Sequence, residues 1–126
     1  MRCSLVVGIG LVLAGCATDD DGIGLGRLEV EGVAYVTVPV VAAVGRDFLF
    51  EARTYGSSCL TAASTDVALT AEGATISLYD RHPGGICEDD LAPIEHHATL
   101  RFDSAGAKIL TVRGWDADIE ITVTVR

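Results

Sequence analysis

The chain has 126 residues, 18 of them acidic and 9 basic, for a formal net charge of −9. Such an excess of carboxylates argues against nucleic acid and anionic lipid headgroups as partners, because both require clustered Lys and Arg to displace counterions. The length suits a single domain with a real core, and no shift of composition along the chain marks a second one.

Residues 1–15 follow the plan of an export signal peptide: Arg2, an uncharged apolar run from Leu5 to Leu13, then small residues before Cys16. The run is shorter than the roughly 20 residues with which a helix crosses about 30 Å of hydrocarbon, so no permanent span is expected. Leu13-Ala14-Gly15-Cys16 resembles the lipobox of bacterial lipoprotein precursors. The resemblance covers the leader and its junction alone. It implies cleavage before Cys16, acylation of the Cys16 thiol and attachment to the cell envelope by lipid. With Ala rather than Asp at position 17, it also implies the outer membrane. The alternative is an ordinary secretory signal cut near Ala14 or Ala17, which would leave Cys16 as a free thiol. Cleavage before Cys16 removes only Arg2 from the charge count, so 18 acidic side chains then face 8 basic ones, a net of −10.

Residues 16–26 read as the lipidated Cys and a flexible tether: Asp19, Asp20 and Asp21 repel one another, and glycines at 22, 24 and 26 permit many backbone conformations. The glycine run lacks the preceding strand, the full G-x-G-x-x-G and the Lys-Ser/Thr of a phosphate loop. From Arg27 onward the dominant period is two. Val33 to Val41 is rich in β-branched residues, and Pro39 within it predicts one short strand before the proline and irregular chain after it. Phe48, Phe50 and Ala52 alternate with Leu49, Glu51 and Arg53. Ser58 to Ala71 has weak helical spacing at Leu60, Ala63 and Val67, but its Ser and Thr content favours strand over its second half, Asp66 to Thr70. Ile76 and Leu78, then Ala98, Leu100 and Phe102, alternate with polar neighbours. Lys108 to Arg113 and the run Ile119, Ile121, Val123, Val125 complete the set. About seven short strands in 27–126 predict an all-β domain, a β-sandwich of immunoglobulin-like or fibronectin-III-like architecture.

Once Cys3 leaves with the leader and Cys16 carries lipid, Cys59 and Cys87 remain, and in an oxidising compartment they predict one disulfide. It would close a loop of about 29 residues, contributing roughly 3.5 kcal/mol in the chain-entropy treatment. A zinc site built on both thiolates lacks the close Cys-x-x-Cys spacing. The bridge is expected to tie the segment after strand Asp47–Tyr55 to the long loop from His82 to His96. That end is the candidate functional surface, with Tyr55, His82, His96 and Trp115 as candidate binding residues. A metal site there would draw on His82 with His96 or His97 and a carboxylate. No H-E-x-x-H spacing supports it, however, and adjacent His96 and His97 point to opposite faces of a strand. Glu88-Asp89-Asp90 lacks the ligand spacing of a calcium loop. Gly56-Ser57-Ser58-Cys59 is not a G-x-S-x-G elbow, and no motif pairs a nucleophile with a base, so neither enzymatic activity nor a cofactor is expected. The sequence therefore predicts a lipid-anchored, non-enzymatic binding or assembly module whose partner is another envelope protein or a glycan. A metal-binding module and a small envelope hydrolase are the alternatives.

Overall fold

The structure, a computed structural model, describes the backbone of residues 3–8 and 11–16 and the whole of residues 22–126. Arg2 and Ala17 to Asp21, on which parts of the leader and tether readings rest, lie outside the described residues. The elements in chain order are β1 (Cys3–Gly8), β2 (Leu11–Cys16), β3 (Gly22–Leu25), β4 (Glu29–Val30), β5 (Val33–Ala34), β6 (Val36–Thr37) and β7 (Val41–Ala42). Six longer strands follow: β8 (Phe48–Gly56), β9 (Thr61–Leu69), β10 (Gly73–His82), β11 (Ala92–Leu100), β12 (Gly106–Arg113) and β13 (Asp118–Val125). Among the described residues β1 and β2 pair antiparallel with each other and with no other strand.

The domain is all-β, but β3 to β13 make eleven strands rather than seven. β4 to β7 are two residues long and too short to display a period, and where one strand was expected in Val33 to Val41 the chain forms β5, β6 and the start of β7. β3 is half glycine, which carries almost no strand propensity. Gly22–Leu25, expected to belong to the flexible tether, pairs instead with Tyr79–His82. The helical spacing in Ser58–Ala71 also gives way to strand, since β9 runs through Thr61–Leu69 as the antiparallel neighbour of β10. Thr and Ser side chains that disfavour a helix interior sit comfortably on such a pleated edge.

Two sheets face each other. The larger has the order β3-β10-β12-β13-β7, with β9 on the other side of β10; the smaller has the order β11-β8-β6. One edge of β10 serves two partners: its first half lies parallel to β12 and its second half antiparallel to β3. The parallel pairs β10·β12 and β13·β7 depart from the antiparallel sheets of an immunoglobulin domain. A parallel pair needs a crossover, and the chain supplies it by passing through β11 in the opposite sheet. Phe50, Ala52 and Leu100 from the small sheet interdigitate with Ile76, Leu78, Leu110, Val112, Val123 and Val125 from the large one, all buried in a single cluster. At the start of the parallel pair a side chain on Gly73 would collide with the backbone carbonyl of Ile109, so only glycine allows that approach.

Candidate functional site

At Gly26 the chain leaves the large sheet for the small one, and the candidate site is built around that crossing. The Gly26 N–H donates to the Leu78 carbonyl at 2.8 Å, holding it to β10, while the Tyr55 N–H donates to the Arg27 carbonyl at 2.9 Å, holding the next residue to β8. The Gly26 carbonyl in turn accepts the Trp115 N–H at 3.0 Å, which brings in the β12–β13 turn. Asp116 locks the turn, its two carboxylate oxygens accepting the N–H groups of Leu28 (2.8 Å) and Glu29 (3.0 Å). Partial desolvation would raise the Asp116 carboxyl. The two backbone amides, helped by the Arg27 charge, outweigh it and hold the group below the ordinary aspartate range.

Beside this crossing lies an open cleft of about 330 Å³ whose lining includes Tyr55, Leu60, Asp80, His82 and Trp115 beside the β3 backbone. Three of the four residues expected to form a binding surface, Tyr55, His82 and Trp115, thus converge on one cavity. Trp115 is 66 % exposed. It is therefore not core filling.

His96, the fourth, is elsewhere. It sits in β11, 1 % exposed, because Ile94, His96, Ala98 and Leu100 form the strand's inward row while His97 points out, 3.7 Å from Glu51 Oε1. The loop itself is shorter than expected, since Ala92 to His96 belong to β11. His96 Nε2 donates to Asp80 Oδ1 at 2.7 Å, and Thr65 Oγ1 lies 2.9 Å from its Nδ1. A hydroxyl, an imidazole and a carboxylate thus stand in a row, the group types of a hydrolase triad. Neither Thr65 nor His96 lines the cleft, however, and the row is a strut joining β9 and β10 to β11 through the core. Asp80 links the two regions. Its Oδ1 faces His96, and the residue also lines the cleft while its buried Oδ2 has no hydrogen-bond partner. Thr54 Oγ1 is likewise buried and unpartnered. Any side chain on Gly26 would strike Asp80 Oδ2 and Thr54, so glycine is what lets the backbone close over both groups.

Beside the cleft, Cys59 and Cys87 form the expected disulfide, with Cα atoms 5.7 Å apart, tying the turn after β8 to the loop 83–91. Asp90 reinforces the tie by accepting the Ser58 N–H at 2.9 Å, which is the main reason its carboxyl lies below the ordinary range. His82 packs on the bridge, with Nε2 3.1 Å from Cys87 Sγ. Its Nδ1 accepts the Gly84 N–H at 3.0 Å, so in the neutral ring the hydrogen is on Nε2, facing the sulfur. Cys59, His82 and Cys87 are the one group of three metal-ligating residues found together among the described residues. Both sulfurs are joined to each other, and the ring's only lone pair is taken by Gly84, so the donor set as it stands does not suit a metal. The three histidines separate rather than converge: one on the disulfide, one in the core, one outside.

Sequence reasoning missed Asp80, Thr54, Asp116 and Gly26. For the first two a signal exists. Asp80 continues the inward row Ile76, Leu78, and Thr54 continues Phe50, Ala52, so strict alternation carries two polar groups into the interior. No family model, curated protein or solved structure matches the chain.

Proposed function

We propose that this protein is a non-enzymatic module of the bacterial envelope, held by lipid on Cys16, whose sandwich domain binds a hydroxyl-rich ligand, a glycan segment, in the cleft beneath Trp115. One observation carries the reading. Tyr55 and the exposed Trp115 line the same cavity as Asp80, a buried carboxylate with an unpartnered oxygen. Aromatic faces provide apolar contact with a polar handle, and polar groups on the same wall offer partners for a ligand's hydroxyls. The leader and its Leu13-Ala14-Gly15-Cys16 box support the envelope placement, and the packed sheets are compatible with an immunoglobulin-like label except at the parallel strand pairs.

Trp115 is the sole tryptophan of the chain, so its fluorescence reports on the cleft directly. Soluble fragments of envelope glycans are expected to change it saturably, with Tyr55→Ala weakening the effect. A flat response across the glycan panel, combined with chemical cross-linking to an envelope protein, would favour the assembly alternative instead. Mass spectrometry of the mature chain tests the anchor: a diacylglycerol adduct on Cys16 is expected, and an unmodified Cys16 would overturn it.

A further inference from the structure

We propose that the Cys59–Cys87 disulfide is a thiol–disulfide exchange site, in which a dithiol's thiolate attacks Cys59 Sγ and Cys87 departs as a thiolate held by the His82 Nε2–H. Each sulfur has its own donor. The Ser57 hydroxyl donates to Cys59 Sγ at 3.5 Å, whereas His82 Nε2 is only 3.1 Å from Cys87 Sγ. The Gly84 N–H on Nδ1 keeps the hydrogen on Nε2 and the ring aimed at the sulfur. Hydrogen bonds to a charged acceptor are shorter and about twice as strong as those to a neutral one, so the His82 bond strengthens as charge develops on Cys87. A better-stabilised thiolate leaves faster, which makes Cys87 the leaving sulfur and Cys59 the attacked one. Both cysteines are half-buried, and Ser58, Gly85, Ile86 and Glu88 around them are exposed, so a small thiol can approach.

The balance is that of ordinary exchange. Attack forms a bond between the incoming sulfur and Cys59 while the Cys59–Cys87 bond breaks. The dithiol's second thiolate then attacks its own first sulfur, closing the reductant's disulfide and releasing Cys59. Two electrons pass from the dithiol to the cystine, and the two protein thiolates take up the two protons the dithiol gives up. The neighbouring Glu88-Asp89-Asp90 run also sets a preference, because three carboxylates beside Cys87 repel an anionic thiol and attract a cationic one.

The test uses the full chain and three monothiols, cysteamine (cationic), 2-mercaptoethanol (neutral) and mercaptoacetate (anionic), with iodoacetamide trapping of the products. Cleavage after Arg53, Arg81 and Arg101 places Cys59 and Cys87 in separate peptides, away from Cys3 and Cys16, for mass spectrometry. The expected result is a mixed disulfide on Cys59 with alkylated Cys87, and rates in the order cysteamine, 2-mercaptoethanol, mercaptoacetate that converge as salt is raised. His82→Leu should slow the exchange roughly tenfold, while His82→Gln, which keeps an N–H donor, restores most of the rate. Thermal melts of the two His82 variants separate this effect from loss of fold. Equal rates in folded His82→Leu and the parent chain, or a mixed disulfide mainly on Cys87, would overturn the proposal. So would zinc uptake by the reduced chain that is lost in His82→Leu, since it would assign the trio to metal binding.

Discussion

Asp80 and His96 are two polar side chains buried against each other in the core. Both are buried, at 4 % and 1 % exposure, and each is the other's hydrogen-bond partner at 2.7 Å. A buried pair of this kind stabilises little compared with apolar residues of similar volume, but removing one member strands the other. His96→Leu is therefore expected to cost about 3–5 kcal/mol in urea unfolding, and the double variant Asp80→Leu with His96→Leu less than that single change. If the double variant were as unstable as the single one, the pair would not be coupled as its geometry indicates. Both partners occupy inward positions of their strands and were within reach of period-two reading, since Asp80 follows Ile76 and Leu78, and His96 follows Ile94, at the same spacing. What the alternation does not disclose is that the two strands place these positions opposite each other, which depends on how the sheets face and not on either strand.

At the scale of elements, the long strands were legible and the short ones were not. β8, β12 and β13 announce themselves by alternation, whereas β4 to β7 exist only because neighbouring chain supplies their ladders. The crossing from β3 to β4 is likewise held by a remote group, Asp116 in the β12–β13 turn, through the amides of Leu28 and Glu29. Leu28 is fully buried, so its amide has no water to turn to if the carboxylate is lost. Because the folded carboxyl titrates below its usual 3.8, its two bonds contribute fully above that pH and are lost as pH falls below it through the folded value. Asp116→Asn retains a single acceptor oxygen and is expected to lower stability by about 1–2 kcal/mol near neutral pH. Denaturant melts taken at decreasing pH should show the two proteins converging below pH 3.8, because at position 116 only the parent has a charge to lose there. A gap that stayed constant down to low pH would mean the carboxylate's charge is not what holds the crossing.

For the molecule as a whole, strand order was beyond the sequence: the parallel β10·β12 pair is a non-local contact, and nothing in either strand's pattern distinguishes a parallel neighbour from an antiparallel one. The disulfide, by contrast, was legible from cysteine arithmetic, and its place explains what it does for the fold. It spans a sequence separation of 28 that encloses the whole of β9 and β10, and it lies at one end of the sandwich, outside the buried cluster shared by the two sheets. Its contribution is therefore to restrict the unfolded chain, roughly 3.5 kcal/mol, and not to fill the core. Against the 5–15 kcal/mol that a domain of this size typically has, that loss weakens the fold without abolishing it. The double variant Cys59→Ser with Cys87→Ser is thus expected to keep the β-sheet circular dichroism of the parent at 25 °C while melting roughly 15–25 °C lower. Exchange at this bridge requires the same property, because a domain that unfolded on reduction could not return Cys59 and Cys87 to one another through His82. If the double variant is unfolded at 25 °C, the bridge is structural alone.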